Sequence, residues 1–253
     1  MTPTTDRPLD LTWDAPLPHA LTRTRTYLSV PSSSTQVAII AIHGRGDNAR
    51  DFAEAFVPHL RSYFGSHLLG EVDEEDSPAV DSKSDGEKGL KITLRALEAR
   101  DGIWFGTHTP KSEDDLAFQG PYVHSSLLKL QDEIESLHRM GIPHSKTVLV
   151  GFSQGAIIVN SYLLRALQLL PLSKHVKVEN GELVNSPLPI PANILGWAEA
   201  VSSEISKAGE RVTKACSGLL VVKSSVEMER GAHSVLPGMI AKLIQMVQAA
   251  AAS

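Results

Sequence analysis

Apolar residues in this chain fall into two kinds of block. The first kind is a short unbroken run. Val37 to Ile42 is apolar throughout and rich in β-branched side chains, which predicts a strand buried on both faces of a parallel sheet. Thr147 to Val150 is a second short apolar run, Gly218 to Val226 reads as a buried strand, Ile92 to Ala99 reads as a strand, Arg25 to Val30 predicts an earlier strand, and Asn193 to Trp197 a short one. The second kind is spaced. Ala49 to Phe64 carries Phe52, Phe56 and Leu60 at helical intervals, and Ser125 to Met140 sets Leu127, Leu130, Ile134 and Leu137 on one face before Gly141-Ile142-Pro143 ends the pattern. Ala156 to Leu170, Ala198 to Lys214 and Val235 to Ala252 are the remaining predicted helices. Strands alternating with helices imply an α/β fold, a mostly parallel sheet with helices on both faces. No internal repeat interrupts the alternation.

The polar stretches between the blocks predict the irregular parts. Residues 1–20 carry several prolines and read as an arm, and Pro31 to Ser34 reads as a turn. Gly70 to Gly89 holds Glu71, Asp73, Glu74, Glu75, Asp76, Asp81, Asp85 and Glu87 among Ser and Gly. Such a stretch lacks the apolar surface needed to pack, so 65–90 is expected to be a mobile acidic insertion in a single domain spanning 1–253. Its carboxylates read as a solvated loop rather than a metal site, since metal ligands must converge. Trp104 to Gln119 reads as a polar loop with aromatics, and Pro171 to Pro191 as irregular.

Bulk properties narrow the function classes. A chain of 253 residues can bury a full core as one domain. The net charge of −5 and the absence of a basic block argue against nucleic acid as a partner. Met1 to Asp10 has no apolar core of a secretory signal, and no run of about 18 apolar residues predicts a transmembrane segment. Cys216 stands alone, which excludes an internal disulfide or a thiolate metal cluster. The expected location is cytoplasmic, with the nucleus also open.

Chemistry enters at Gly151-Phe152-Ser153-Gln154-Gly155. An apolar strand precedes it and an apolar helix follows, so Ser153 falls at the apex of a sharp strand-to-helix turn, the geometry of a nucleophile elbow. Glycines on both sides permit a strained backbone there. The turn exposes the Ser Oγ and aims the next backbone N–H, from Gln154, at a developing oxyanion. The plainer reading is a tight turn with a capping serine. The bare pattern should arise by chance roughly 0.1 times in such a chain, so its strand and helix context carries the weight.

A serine nucleophile needs a histidine base. Downstream of Ser153 only His175 and His233 are available. His233 lies in Glu229-Arg230-Gly231-Ala232-His233-Ser234-Val235, between the last strand and the last helix, at the edge of an open α/β sheet where ligands gather. It is favoured over His175, which precedes the next strand in an irregular stretch; a surface loop residue is its plainer reading. A second oxyanion donor is expected from the loop after an early strand, where His43-Gly44-Arg45-Gly46-Asp47-Asn48 follows the Val37–Ile42 run. The backbone N–H of Arg45 is the candidate, and its side chain is a further candidate for shaping the pocket.

Together these segments resemble the acyl-protein thioesterase / phospholipase–carboxylesterase family of α/β-hydrolases. The matching motifs are His43-Gly44-Arg45-Gly46-Asp47, Gly151-Phe152-Ser153-Gln154-Gly155 and Gly231-Ala232-His233-Ser234-Val235, with Trp104-Phe105 where the family often has an aromatic pair after the third strand. The likeness covers roughly residues 25–170 and 192–250. It implies an α/β-hydrolase fold and a serine hydrolase that needs no cofactor or metal. It also implies substrates that are acylated proteins, lysophospholipids or small carboxyl esters, and leaves transient contact with a membrane surface open. Arg45 and Gln154 fall at the family's oxyanion positions, and Trp104 and Phe105 at its substrate pocket.

One departure stands out. The family places its catalytic Asp in a His-Gly-x-x-Asp segment, yet no Asp follows Asp132 here. The corresponding stretch is Ile194-Leu195-Gly196-Trp197-Ala198-Glu199-Ala200-Val201, which makes Glu199 the candidate to orient His233. Its plainer reading is an exposed acid in the first turn of the 198–214 helix. Glu204, Glu227 and Glu229 are the other candidates. The expected activity is ester or thioester hydrolysis through an acyl-enzyme. A catalytically impaired relative that binds acyl groups or a partner is the alternative, and a peptidase or lactonase of the same superfamily is a third.

Overall fold

The computed structural model of the chain describes residues 21–28, 35–65, 71–72, 89–99, 102–105, 113–169, 177–179, 182–184, 191, 193–199, 223–229 and 237–253. Nine strands are found among them: β1 (Leu21–Leu28), β2 (Val37–Ile42), β3 (Glu71–Val72), β4 (Ile92–Ala99), β5 (Thr147–Phe152), β6 (Lys177–Glu179), β7 (Glu182–Val184), β8 (Asn193–Glu199) and β9 (Lys223–Glu229). Five helices accompany them: α1 (Ala49–Glu54), α2 (Val57–Phe64), α3 (Glu113–Arg139), α4 (Gln154–Leu169) and α5 (Pro237–Ala252).

Seven strands form the main sheet in the order β3-β1-β4-β2-β5-β8-β9. From β4 to β9 every neighbouring pair is parallel; β1 runs antiparallel to β4 and to the two-residue β3 at the edge. The strands β2 and β5 lie at its centre and are buried along their whole length. Alternate side chains serve opposite faces. Val37, Ile39 and Ala41 join Phe52 of α1, Phe56 at the start of α2, Leu60 of α2, and Leu243 and Val247 of α5 in one core. Ala38, Ile40 and Ile42 join Leu130, Ile134 and Leu137 of α3 and Ile158, Tyr162 and Leu163 of α4 in the other. This is why the β2 and β5 runs read as unbroken apolar blocks.

On the α3 side, Arg95 of β4 points into the helix rather than to solvent. Its Nη1 donates to Glu133 Oε2 at 2.8 Å and to Ser136 Oγ at 3.1 Å, and both charged side chains are largely buried. Lys129 adds a second contact to the same carboxylate at 3.1 Å.

β1 begins at Leu21 and β9 runs over Lys223–Glu229, shifted from the strands expected over 25–30 and 218–226, and residues 200–214 of the helix expected over 198–214 lie outside the described residues. Four further elements differ from the sequence expectation. The helix expected over 49–64 breaks in two between Glu54 and Val57. Pro58 has no N–H and its ring would meet the carbonyl of Glu54, so Phe56 caps a new helix there. The helix expected over 125–140 begins at Glu113, inside the expected 104–119 loop. The irregular stretch 171–191 contains the antiparallel β6–β7 pair. Finally, β8 runs on through Ala198 to Glu199, where a helix was expected to begin. Of the acidic insertion, Glu71 and Val72 form the edge strand paired with Tyr27 and Thr26, while 66–70 and 73–88 lie outside the described residues. The arm 1–20 lies outside them as well.

Candidate active site

Among the described residues, the segments around Ser153, His43 and Trp104 emerge at the carboxyl ends of the parallel strands. Ser153 follows β5, His43 follows β2, and Gly102 to Phe105 comes soon after β4. In an open α/β sheet this edge is where ligands bind.

Ser153 is a single residue between β5 and α4, with φ 52°, the one non-glycine residue of positive φ among the described residues. A serine held there costs roughly 1–3 kcal/mol, which its surroundings must enforce. They do so by close packing. A Cβ on Gly151 would lie 2.5 Å from the Gly155 carbonyl oxygen. A Cβ on Gly155 would run into the Ile42 carbonyl and lie 2.6 Å from that of His43. The two glycines therefore allow the first turn of α4 to sit directly on the end of β2. The Ser153 carbonyl accepts from Ile157 N–H at 3.3 Å, starting the helix. The elbow expected from the sequence is thus present in the backbone.

The loop after β2 lies against it. A Cβ on Gly44 would be 3.0 Å from Phe152 Cδ1 and 3.3 Å from Ser153 Cβ, so any larger residue would press on the Ser153 turn. Arg45 and Gly46 form the turn that follows, Gly46 with φ 77°. Asn48 then caps α1, its side chain accepting from Asp51 N–H at 2.9 Å. The two expected oxyanion donors, the N–H groups of Arg45 and Gln154, therefore belong to segments in contact across Gly44 and Ser153.

His43 is fully buried. Its Nε2 accepts from Ala99 N–H at 3.1 Å and its Nδ1 faces the Gly44 carbonyl at 2.6 Å, so the proton sits on Nδ1. Burial pushes the pKa of the ring below the ordinary histidine value and outweighs the Gly44 hydrogen bond and the charges of Asp47 and Glu98, which act the other way. A neutral ring with both nitrogens engaged is not a general base. It is a brace between β4 and the loop after β2, a role that the sequence motif did not reveal.

Trp104 is also fully buried. Its ring lies 5.0 Å from that of His43, and its Nε1–H donates to the His43 carbonyl at 2.8 Å. It contributes to any pocket through the shape it gives the loop, while Phe105 beside it is half-buried. The Gln154 side chain, itself buried, closes the arrangement. Its Oε1 accepts from Trp104 N–H at 3.3 Å and its Nε2 donates to the Phe105 carbonyl at 3.4 Å.

Glu199 is the last residue of β8, not the first turn of a helix, and its register partner in β9 is Glu229. Phe152 pairs with Trp197 across β5 and β8, so the backbone of Glu199 stands two residues beyond the level of the elbow strand's end, one strand away. Glu227 is the partner of Trp197. The backbone positions of all three acids lie towards the sheet edge that carries Ser153. His233 belongs to the link from Glu229 to Pro237 and lies outside the described residues, as do His175 and Glu204. Among the described residues no three His, Cys, Asp or Glu side chains group as metal ligands, and no helix is long and apolar enough to cross a membrane.

No protein-family profile matches this chain. No curated protein sequence matches it either. Solved structures do. A phospholipase/carboxylesterase from Dyadobacter fermentans superimposes with a TM-score of 0.56 at 15% identity, over 92% of this chain and 100% of that one. The esterase PE8 superimposes with a TM-score of 0.51 at 16% identity, over 88% and 98%. The fold is the α/β-hydrolase fold, in the form taken by these two hydrolases.

Proposed function

We propose that the protein is a serine hydrolase of the phospholipase–carboxylesterase and acyl-protein thioesterase type, cleaving carboxyl esters or thioesters through an acyl-enzyme. The observation that carries this reading is the placement of Ser153. It holds a left-handed backbone conformation at the tip of a buried central strand, with Gly44 packed against it. A strained, partly exposed serine in that position has no packing role that a glycine could not fill, and the strain is accounted for by presenting Oγ to a substrate.

The steps follow from the chemistry of the parts. His233 removes the Ser153 proton, and Oγ attacks the acyl carbonyl. The oxyanion forms within reach of the N–H groups of Arg45 and Gln154, where fixed donors lower the barrier. His233 then protonates the alcohol or thiol leaving group, and water activated by the same ring releases the acid. Glu199 orients His233; a strand-end position supports this better than a helix turn would. Phe105 lines the acyl side of the site. The reaction needs no cofactor or metal, the substrates are acylated proteins or small lipid esters, and the setting is the cytoplasm.

The absence of any Asp after Asp132 favours one second reading, a relative that binds acyl groups without turning them over. Hydrolysis of p-nitrophenyl esters of rising chain length, and of a palmitoyl thioester peptide, separates the two. Turnover that disappears in both Ser153→Ala and His233→Ala supports the hydrolase. Saturable binding of the thioester peptide by the folded protein with no release of thiol supports the binder.

A further inference from the structure

The Gln154 side chain spans two consecutive backbone groups of a loop that lies 50 residues away in sequence, taking the N–H of Trp104 and giving to the carbonyl of Phe105. That loop is fastened on its other side to the segment after β2. Gly46 N–H donates to the Gly102 carbonyl at 2.8 Å, and Trp104 Nε1–H donates to the His43 carbonyl at 2.8 Å. His43 in turn is fixed by Ala99 and by the Gly44 carbonyl. A continuous circuit of hydrogen bonds therefore runs from the first residue of α4, through Trp104 and Phe105, to the turn that holds Arg45. The two ends of the circuit are the two oxyanion donors of the proposed reaction.

We infer that the Gln154 side chain is a positioning residue, fixing the Arg45 N–H relative to the Gln154 N–H by clasping the loop that bridges them. The inference rests on the hydrolase reading above. The physical reason is that an oxyanion hole acts only when both donors are held at hydrogen-bonding distance from one point, and an error of about 1 Å can cost on the order of 10² in rate. Apolar packing sets distances softly, whereas two hydrogen bonds to adjacent peptide groups fix both the separation and the tilt of the loop. A residue of this length with one donor and one acceptor on a planar head meets the requirement. Glutamate lacks the donor when ionised, and methionine lacks both groups.

The test uses Gln154→Met and Gln154→Glu in the full chain, with rates normalised to active sites titrated by a fluorophosphonate. For Gln154→Met, kcat on p-nitrophenyl butyrate is expected to fall about 10- to 100-fold with KM within about twofold of wild type. In Gln154→Glu the introduced carboxyl restores the donor only when protonated. Its kcat relative to wild type is therefore expected to rise as pH is lowered from 8 to 5.5. This signature survives even if the methionine variant does not fold, and a purely structural role would not produce it. Both variants keeping kcat within twofold of wild type, or a ratio for Gln154→Glu that stays flat with pH, would overturn the inference while leaving the hydrolase intact. A folded wild type with no Ser153-dependent turnover would overturn the hydrolase reading and this inference with it.

Discussion

The backbone N–H of Ala99 donates to Nε2 of His43 across 3.1 Å, joining the end of β4 to the first residue after β2. Protonation of the ring would destroy that acceptor, and burial holds the His43 pKa below its ordinary value of 6.5. The unfolded chain takes up this proton first as pH falls, so the His43 contribution to stability is whole above about pH 6.5 and is lost on going down towards the folded-state pKa. His43→Leu is expected to destabilise by about 1–3 kcal/mol at pH 7.5, with Ala99 N–H left without its acceptor. The gap to wild type should narrow at pH 5.5. Urea unfolding at the two pH values checks this; a gap that does not change with pH would contradict it.

Gly155 sits where the carbonyls of Ile42 and His43 leave no space for a side chain. Both neighbours are backbone at the end of a buried strand, so nothing flexible can move aside. Gly155→Ala is expected to cost about 3 kcal/mol or more, at or above the upper end for overpacking. Gly46→Ala has open space around it but φ 77°, and is expected to cost only about 1–2 kcal/mol. Denaturation midpoints of the two variants rank them, and equal midpoints would show that the helix does not rest on β2 as described.

Arg95 and Glu133 form a buried ion pair between β4 and α3. Removing one partner strands the other charge. Glu133→Ala is expected to lower stability by about 3–5 kcal/mol, and the double replacement Arg95→Met with Glu133→Leu to recover most of it. The exposed pair of Arg50 and Glu54 is expected to contribute about 0.3–0.5 kcal/mol, so Glu54→Ala serves as the control. A double variant no better than Glu133→Ala would count against the desolvation argument.

If Glu199 orients His233, Glu199→Ala is expected to lose on the order of 10⁴ in kcat while still binding substrate. Steady-state kinetics on a p-nitrophenyl ester read this directly. An unchanged kcat would move the role to Glu227 or Glu229, whose backbone positions in β9 lie towards the same sheet edge.

The sequence pattern placed β2 and β4 to the residue, β2 because a strand buried on both faces leaves an unbroken apolar run, and the sharp turn at Ser153 was legible because it needs flanking glycines. Other features left weaker traces. The break before α2 was visible in Pro58, whose clash falls four residues back on Glu54. The β6–β7 pair was signalled by the Asn180-Gly181 dipeptide between its strands, the strongest short-range hairpin signal, set among prolines that suggest irregularity. The early part of α3 is acidic and polar and contains Gly120-Pro121, so it has no apolar stripe to announce a helix. The extension of β8 to Glu199 depends on pairing with β9, a partner some thirty residues away. Least legible were the side-chain bonds of His43 and Gln154. The bonds from His43 to Ala99 and from Gln154 to Trp104 join residues 56 and 50 positions apart, and contacts of that range leave no periodicity in the chain.

The central claim is that Ser153 is an activated nucleophile, and labelling by a fluorophosphonate tests it most directly. The folded wild type should label, with the reaction following the titration of a histidine, and Ser153→Ala should not label at all. A wild type that is folded by its denaturation profile yet takes up no label would contradict the claim.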